Sequence, residues 1–299
     1  MKLKNTIALV GATSGISYLA YRTISNKLFN KTFTRYDKGD LVEQKYLDWI
    51  DSCKKEKISI ESFDGLKLNA YDVCNHDTHK YMIVVHGIWS SKTFMYPRAY
   101  EFDKLGYNML LIDQRAAGDS EGKYYTYGLK ESQDLQQWID YLIKKDPEVQ
   151  ICLFGLSMGA ATVMMATSYD LPANVRCIVE DCGYSSLREE FDHIVRHDYK
   201  ISFTVPVLMS LEKKMKDQFG FGLDDISPKT CLENNEIPIL FVHGKDDSFV
   251  PFDMAKILYN HNKGIKKYYP VPNARHTEAN IDENYYSNID TFINTYFNS

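Results

Sequence analysis

The chain has 299 residues, 44% hydrophobic and 25% charged, proportions of an ordinary globular protein that exclude a disordered, collagen-like or polytopic membrane chain. Its 40 acidic and 35 basic residues are interspersed and sum to a charge of -5, with no basic stripe, which argues against nucleic acid as a partner. The six cysteines form neither a CxxC pair nor zinc-type spacing, so no metal is expected, and free thiols point to a reducing compartment.

Residues 5–21 carry no charge and are flanked by Lys2 and Lys4 on one side and Arg22 and Lys27 on the other. That is about the minimum length for a membrane-spanning helix. The segment 1–25 is therefore read as a membrane tether, with a helix packed on the domain, and hence a cytoplasmic protein, as the alternative. Positive charge on both flanks leaves the orientation open. Residues 26–57 are polar, show a helical period around 41–50, and read as a lead-in to a main domain at 58–297.

The main domain opens with KISIESF-DG-LKLNAYDV, apolar-polar alternation on both sides of Asp64-Gly65, which predicts an antiparallel hairpin. From residue 80 the pattern becomes short unbroken apolar runs, suited to strands covered on both faces, separated by segments of helical period. The runs are 81–86, 108–113, 149–154, 177–181, 238–243 and 266–271, and the helices lie near 97–105, 129–144, 158–169, 252–262 and 281–297. This order predicts an α/β fold with a doubly wound, mostly parallel, eight-stranded sheet. One stretch, about 184–236, holds helical material without a strand and reads as a small helical cap inserted over the carboxyl edge of the sheet, where open α/β sheets bind ligands.

Gly155-Leu156-Ser157-Met158-Gly159 directly follows the run VQICLF and directly precedes a helical pattern. A serine on a sharp strand-to-helix turn needs small neighbours, and the helix start behind it presents positive charge. Ser157 is the candidate nucleophile. A hydroxyl needs a base, and the base a carboxylate, in the chain order serine, acid, histidine. His276 is the one histidine after the last strand, and it sits in a loop ahead of the final helix. Asp246 and Asp247 share the loop after 238–243; Asp247 is preferred, with Asp181 as an outside candidate. Backbone N–H groups of Met158 and Ile88 are the expected oxyanion donors, and Trp89 is expected to line the pocket. His86 and His243 are read as structural, and His76, His79, His193, His197 and His261 as solvated.

With these residues in place, the chain resembles the α/β-hydrolase superfamily over 58–297. HGIWSS is similar to the family's oxyanion loop, GLSMG to its nucleophile elbow, HGKDDSFVP to its acid loop with Asp247 in the acid position, and NARHTE to its histidine loop. DQRAAGDS resembles a further family segment, with Ala116-Ala117 standing where the family has Gly-x. Within the superfamily the look is that of bacterial prolyl-oligopeptidase-like and carboxylesterase-type hydrolases. The resemblance implies a serine hydrolase without a cofactor, cleaving a carboxylic ester or related acyl bond of a small-molecule substrate. An aminopeptidase, with Glu180, Glu189 or Glu190 holding a peptide terminus, and a binding protein that has lost the chemistry are the alternatives. Dehalogenases carry Asp at the elbow, where this chain has Ser157.

Overall fold

The computed structural model describes residues 19–36 and 39–297. The chain divides into two compact units, one of Arg35–Ser185 with Ser227–Ser299, the other of the chain up to Thr34 with Ser186–Ile226. Its first described helix is α1, 19–32. The larger unit then runs α2 (Gln44–Ser52), β1 (Lys55–Glu61), β2 (Lys67–Val73), β3 (Lys80–Val85), α3 (Tyr96–Lys104), β4 (Asn108–Asp113), α4 (Leu129–Lys145), β5 (Gln150–Leu156), α5 (Met158–Met165) and β6 (Val175–Asp181). The smaller unit contributes α6 (Leu187–His197) and α7 (Val205–Phe219), after which α8 (Pro228–Cys231), β7 (Ile239–Gly244), α9 (Phe252–His261), β8 (Lys266–Val271) and α10 (Tyr285–Phe297) complete the sheet unit.

The eight strands stand in the order β1-β2-β4-β3-β5-β6-β7-β8. The β1–β2 and β2–β4 pairs are antiparallel and all others parallel, so β2 alone runs against the rest. The unbroken apolar runs are explained by the two faces they serve. Met82 and Val84 of β3 join one core with α2, α3 and α10 through Trp49, Phe102 and Phe292. Ile83 and Val85 point the other way, into a second core with α4, α5 and α9 through Trp138, Val163 and Leu258.

The hairpin forms, but not around a two-residue turn. Glu61 pairs with Lys67, leaving Ser62–Leu66 as the loop, in which only Gly65 takes a positive φ, +87°. Ser62 explains the wider turn: its N–H donates to Leu66 O (2.8 Å) and its hydroxyl accepts from Leu66 N–H (2.7 Å).

In the smaller unit, Ser186 caps α6 by accepting from Glu189 N–H, and α7 ends at Gly220 with φ +83°. Phe29 of α1 and Phe33 just after it stack on Phe219 and Phe191, and Ser25 and Ser210 share a hydroxyl hydrogen bond of 2.7 Å.

The expected membrane tether is corrected here. No helix among the described residues is long and apolar enough to cross a membrane. Residues 19–21, the described end of the uncharged stretch, belong to α1, which continues through Arg22, Lys27 and Lys31; such charges within a helix oppose burial in a bilayer. Residues 5–18 lie outside the described residues.

Candidate active site

Ser157 stands between β5 and α5 with φ +56° and ψ -116°, a conformation costing a side chain about 1–3 kcal/mol. The flanking glycines show why the turn has this composition. A β-carbon at Gly155 would overlap the carbonyl of Gly159, and one at Gly159 would overlap the carbonyls of Val85 and His86. Ser157 N–H donates to Asp181 O (2.8 Å), which fastens the turn to β6.

His276 reaches this serine from the loop after β8. Its Nε2 lies 2.9 Å from Ser157 Oγ, and its Nδ1 lies 2.7 Å from Asp247 Oδ2. A carboxylate only accepts, so Nδ1 carries the proton and Nε2 is left to accept from the serine hydroxyl. Asp247 is buried, and its other oxygen accepts from Phe249 and Val250 N–H, both at 2.9 Å. Burial pushes its carboxyl up, but bonds from His243 and His276 outweigh this and hold it at about 2. Neighbouring Asp246 is exposed, its N–H spent on Ala274 O. Asp181 is buried and accepts from Tyr285 Oη (2.6 Å), so it belongs to a different contact.

The loop after β3 faces the same serine. A β-carbon at Gly87 would stand 3.4 Å from Ser157 Cβ, so backbone approaches the nucleophile closely there. Ile88 and Trp89 follow in a turn, Trp89 with φ +57°, and both pack on Ala116, Ala117, Tyr125 and Met158. Met158 is the first residue of α5, a position whose N–H has no carbonyl one turn earlier to bond. Trp89 meets Phe249 edge-on at 6.4 Å, and Phe249 lies 4.8 Å from the His276 ring. Trp89 also lines a cavity of about 280 Å³ with Arg35, Asp40, Ser90 and Ser91.

His86 anchors this loop, as a structural histidine should. Its Nε2 accepts from Gln114 N–H (3.0 Å), while Gln114 Nε2 donates to His86 O (2.6 Å) and Gln114 Oε1 accepts from Thr162 of α5 (2.9 Å). Ala116 answers for the missing glycine by adopting φ +60° itself, held by Ala116 N–H to Glu121 O at 2.8 Å.

Some contributors have no signal in the sequence. Arg98 of α3 is buried and donates to Thr277 O (2.5 Å), tying down the residue next to His276. Of the histidines read as solvated, His76 bonds Asp103 (3.0 Å) and His79 bonds Asp146 (2.6 Å), pairs formed between distant stretches of chain. Glu180 is fully buried, accepts from Gly183 N–H (3.0 Å), and is pushed by burial up to about 8 against the charge of His243. The one grouping of metal-type ligand atoms among the described residues, Cys182 with Asp247 and His276 within 4.8 Å, falls on the same triad, where Asp247 and His276 are bonded to each other. Burial pushes the Cys182 thiol up, away from the thiolate a metal would need.

This sheet order, with a serine turn after β5, a carboxylate after β7 and a histidine after β8, is the α/β-hydrolase fold. The sequence model of the family described as "Serine aminopeptidase, S33" matches residues 76–197. The uncharacterized protein YqkD of Bacillus subtilis is 28% identical over 228 residues, 76% of this chain and 74% of that protein. The lysophosphatidylserine lipase ABHD12 of Danio rerio is 26% identical over 157 residues, 52% of this chain and 40% of that one. Among solved structures, the Pyrococcus furiosus esterase Pf2001 superposes with a TM-score of 0.71 at 22% identity, covering 89% of this chain and 98% of that one. These likenesses lend no support to the prolyl-oligopeptidase-like part of the expectation.

Proposed function

We propose that the protein is a serine hydrolase that cleaves a carboxylic ester, or a related acyl bond, of a small substrate. The observation that carries this reading is the unbroken line from Ser157 Oγ to His276 Nε2 (2.9 Å) and from His276 Nδ1 to Asp247 (2.7 Å). His276 takes the serine proton as Ser157 attacks the carbonyl, and Asp247 steadies the imidazolium that forms. The N–H groups of Ile88 and Met158 receive the charge developing on the carbonyl oxygen. His276 then hands its proton to the leaving alcohol, and water releases the acyl group from Ser157 by the same steps in reverse. Trp89 and Phe249 offer the acyl part an apolar wall. No cofactor takes part in these steps.

Ser157→Ala and His276→Ala should each lower turnover of p-nitrophenyl butyrate by several orders of magnitude, up to about 10⁶-fold. Unchanged turnover in either variant removes the mechanism, and fluorophosphonate labelling that survives Ser157→Ala removes the nucleophile.

The aminopeptidase family match supports a second reading, a peptidase. Glu180 does not serve it, because that carboxyl is fully buried and engaged with Gly183. Comparing an ester with its matching anilide separates the two: an esterase strongly prefers the ester, whereas a peptidase turns over the anilide at a comparable rate.

A further inference from the structure

Among the described residues, the backbone of Ile88, Trp89 and Ser90 makes no hydrogen bond, so the turn that carries Ile88 N–H is not fixed by its own main chain. Trp89 adds strain: at φ +57° it occupies the left-handed region, which a bulky side chain holds only where its surroundings impose it. The Ile88 and Trp89 side chains pack on Ala116, Ala117, Tyr125 and Met158. That contact is apolar, and apolar burial attracts without setting a direction.

The directional hold comes from a residue far back in the chain. Asp40, in the lead-in before α2, brings three donors onto its Oδ2: Ser91 N–H (3.1 Å), Ser91 Oγ (2.7 Å) and Thr93 Oγ1 (2.7 Å). Ser91 N–H is thus the first fixed backbone N–H after the turn. The Ser91 hydroxyl also accepts from Thr93 N–H (3.2 Å), capping the short helical turn Lys92–Met95 that leads into α3. Lys92, between the two, is tied to β4, with its N–H and Nζ on the two oxygens of Asp113 at 2.8 and 2.5 Å. Loss of Asp40 would move the first fixed N–H from Ser91 to Lys92 and free one more residue beside the strained turn.

We propose that Asp40 is a positioning residue for the oxyanion loop: by gathering Ser91 and Thr93 on one carboxylate oxygen, it keeps the Ile88–Trp89 turn in its strained form, with Ile88 N–H presented to the substrate carbonyl. The proposal rests on the reading of Ser157 as nucleophile and of Ile88 N–H as an oxyanion donor. A carboxylate suits the task, because it accepts from all three donors, and hydrogen bonds to a charged acceptor are shorter and stronger than neutral ones. Asp40 lies outside the strands and both cores, so its role can be separated from that of the fold.

The test compares p-nitrophenyl butyrate with its thionoester, C=S in place of C=O, on full-length wild type, Asp40→Ala and Asp40→Asn. Asp40→Ala should lower kcat for the oxygen ester by about tenfold and leave KM within about threefold, the pattern of an interaction made in the transition state. Sulfur is a poor acceptor and gains little from the N–H donors, so the thionoester should lose much less. The preference for the oxygen ester should therefore shrink by about three- to tenfold. Asparagine keeps an acceptor oxygen in the same place, so Asp40→Asn should stay within about threefold of the wild type in kcat.

Wild-type kcat in Asp40→Ala overturns the proposal. So does a fall that strikes both esters equally, which is the mark of a merely structural role, or an Asp40→Asn as slow as the alanine variant. If Asp40→Ala does not fold, by its circular dichroism and thermal melt, Thr93→Val decides, since it removes one of the three donors: the preference for the oxygen ester should still shrink, and an unchanged preference overturns the clasp. Ser157→Ala run in parallel keeps the two readings apart. If it retains ester turnover, the nucleophile reading fails and the role of Asp40 with it. If it is dead while Asp40→Ala matches the wild type, only the role of Asp40 fails.

Discussion

The carboxylate of Asp247 accepts from two backbone N–H groups with one oxygen and faces two imidazoles with the other, so it has no freedom to turn. Asp247→Asn is therefore informative. The amide oxygen should keep the two backbone donors, which aims the amide N–H₂ at His276 Nδ1. The ring must then carry its proton on Nε2 and can no longer accept one from Ser157, so kcat/KM should fall on the order of 10⁴-fold. Asp246→Asn, at an exposed side chain, should leave kcat/KM within about twofold. If the two variants exchange these results, Asp247 is not the acid. Three of the residues in this site were legible in the sequence because each stands beside a feature that local pattern reveals: a glycine-flanked turn for Ser157, and loops following apolar runs for Asp247 and His276. Arg98 and the approach of His243 to within 3.3 Å of Asp247 were not, because they depend on distances across the fold that no periodicity encodes.

At the scale of the element, the β5–α5 turn is crowded by the neighbouring strand. Gly159 faces the carbonyls of Val85 and His86 so closely that even a methyl group must displace β3 or lift α5. Gly159→Ala should therefore destabilise the fold by about 1–3 kcal/mol, read as a lower urea midpoint, and should also reduce kcat because Ser157 and Met158 move with the helix. A midpoint equal to the wild type would show that the turn has slack. The elements themselves were readable from apolar runs and helical periods, with ends differing by a few residues, as in β1 starting at Lys55 where the sequence suggested 58. Turn geometry was less readable. Ser62 widens the hairpin through its hydroxyl, and Ala116 takes a left-handed conformation that composition alone assigns to glycine.

Across the sheet unit as a whole, Arg115 fastens three separated stretches. Buried after β4, it makes paired bonds of 2.7 Å to Asp134 of α4 and further bonds of 3.0 and 3.1 Å to Asp64 in the β1–β2 loop. Burial pushes Asp134 up to about 6 in spite of that partner, so removing the guanidinium leaves a carboxyl that cannot remain charged where it is. Arg115→Ala should cost about 3–5 kcal/mol in urea unfolding, and adding Asp134→Leu should recover much of it. Equal midpoints for wild type and Arg115→Ala would show the network to be dispensable. The two-faced core was legible from strands with no polar alternation, whereas the uncharged start of the chain misled, since lack of charge over a short stretch says nothing about where the helix that follows goes.

The excursion that interrupts the sheet unit leaves after Ser185 and returns at Ser227, and Lys229 N–H donates to Ser185 O at 3.0 Å. The two sides of the break are therefore already clasped by the sheet's own side of the chain. Lengthening, shortening or exchanging what lies between them imposes little additional ring-closing entropy on the strands, since the ends stay together whatever loop joins them. A scaffold with such a clasp can trade one insert for another while leaving Ser157, Asp247 and His276 in their own unit.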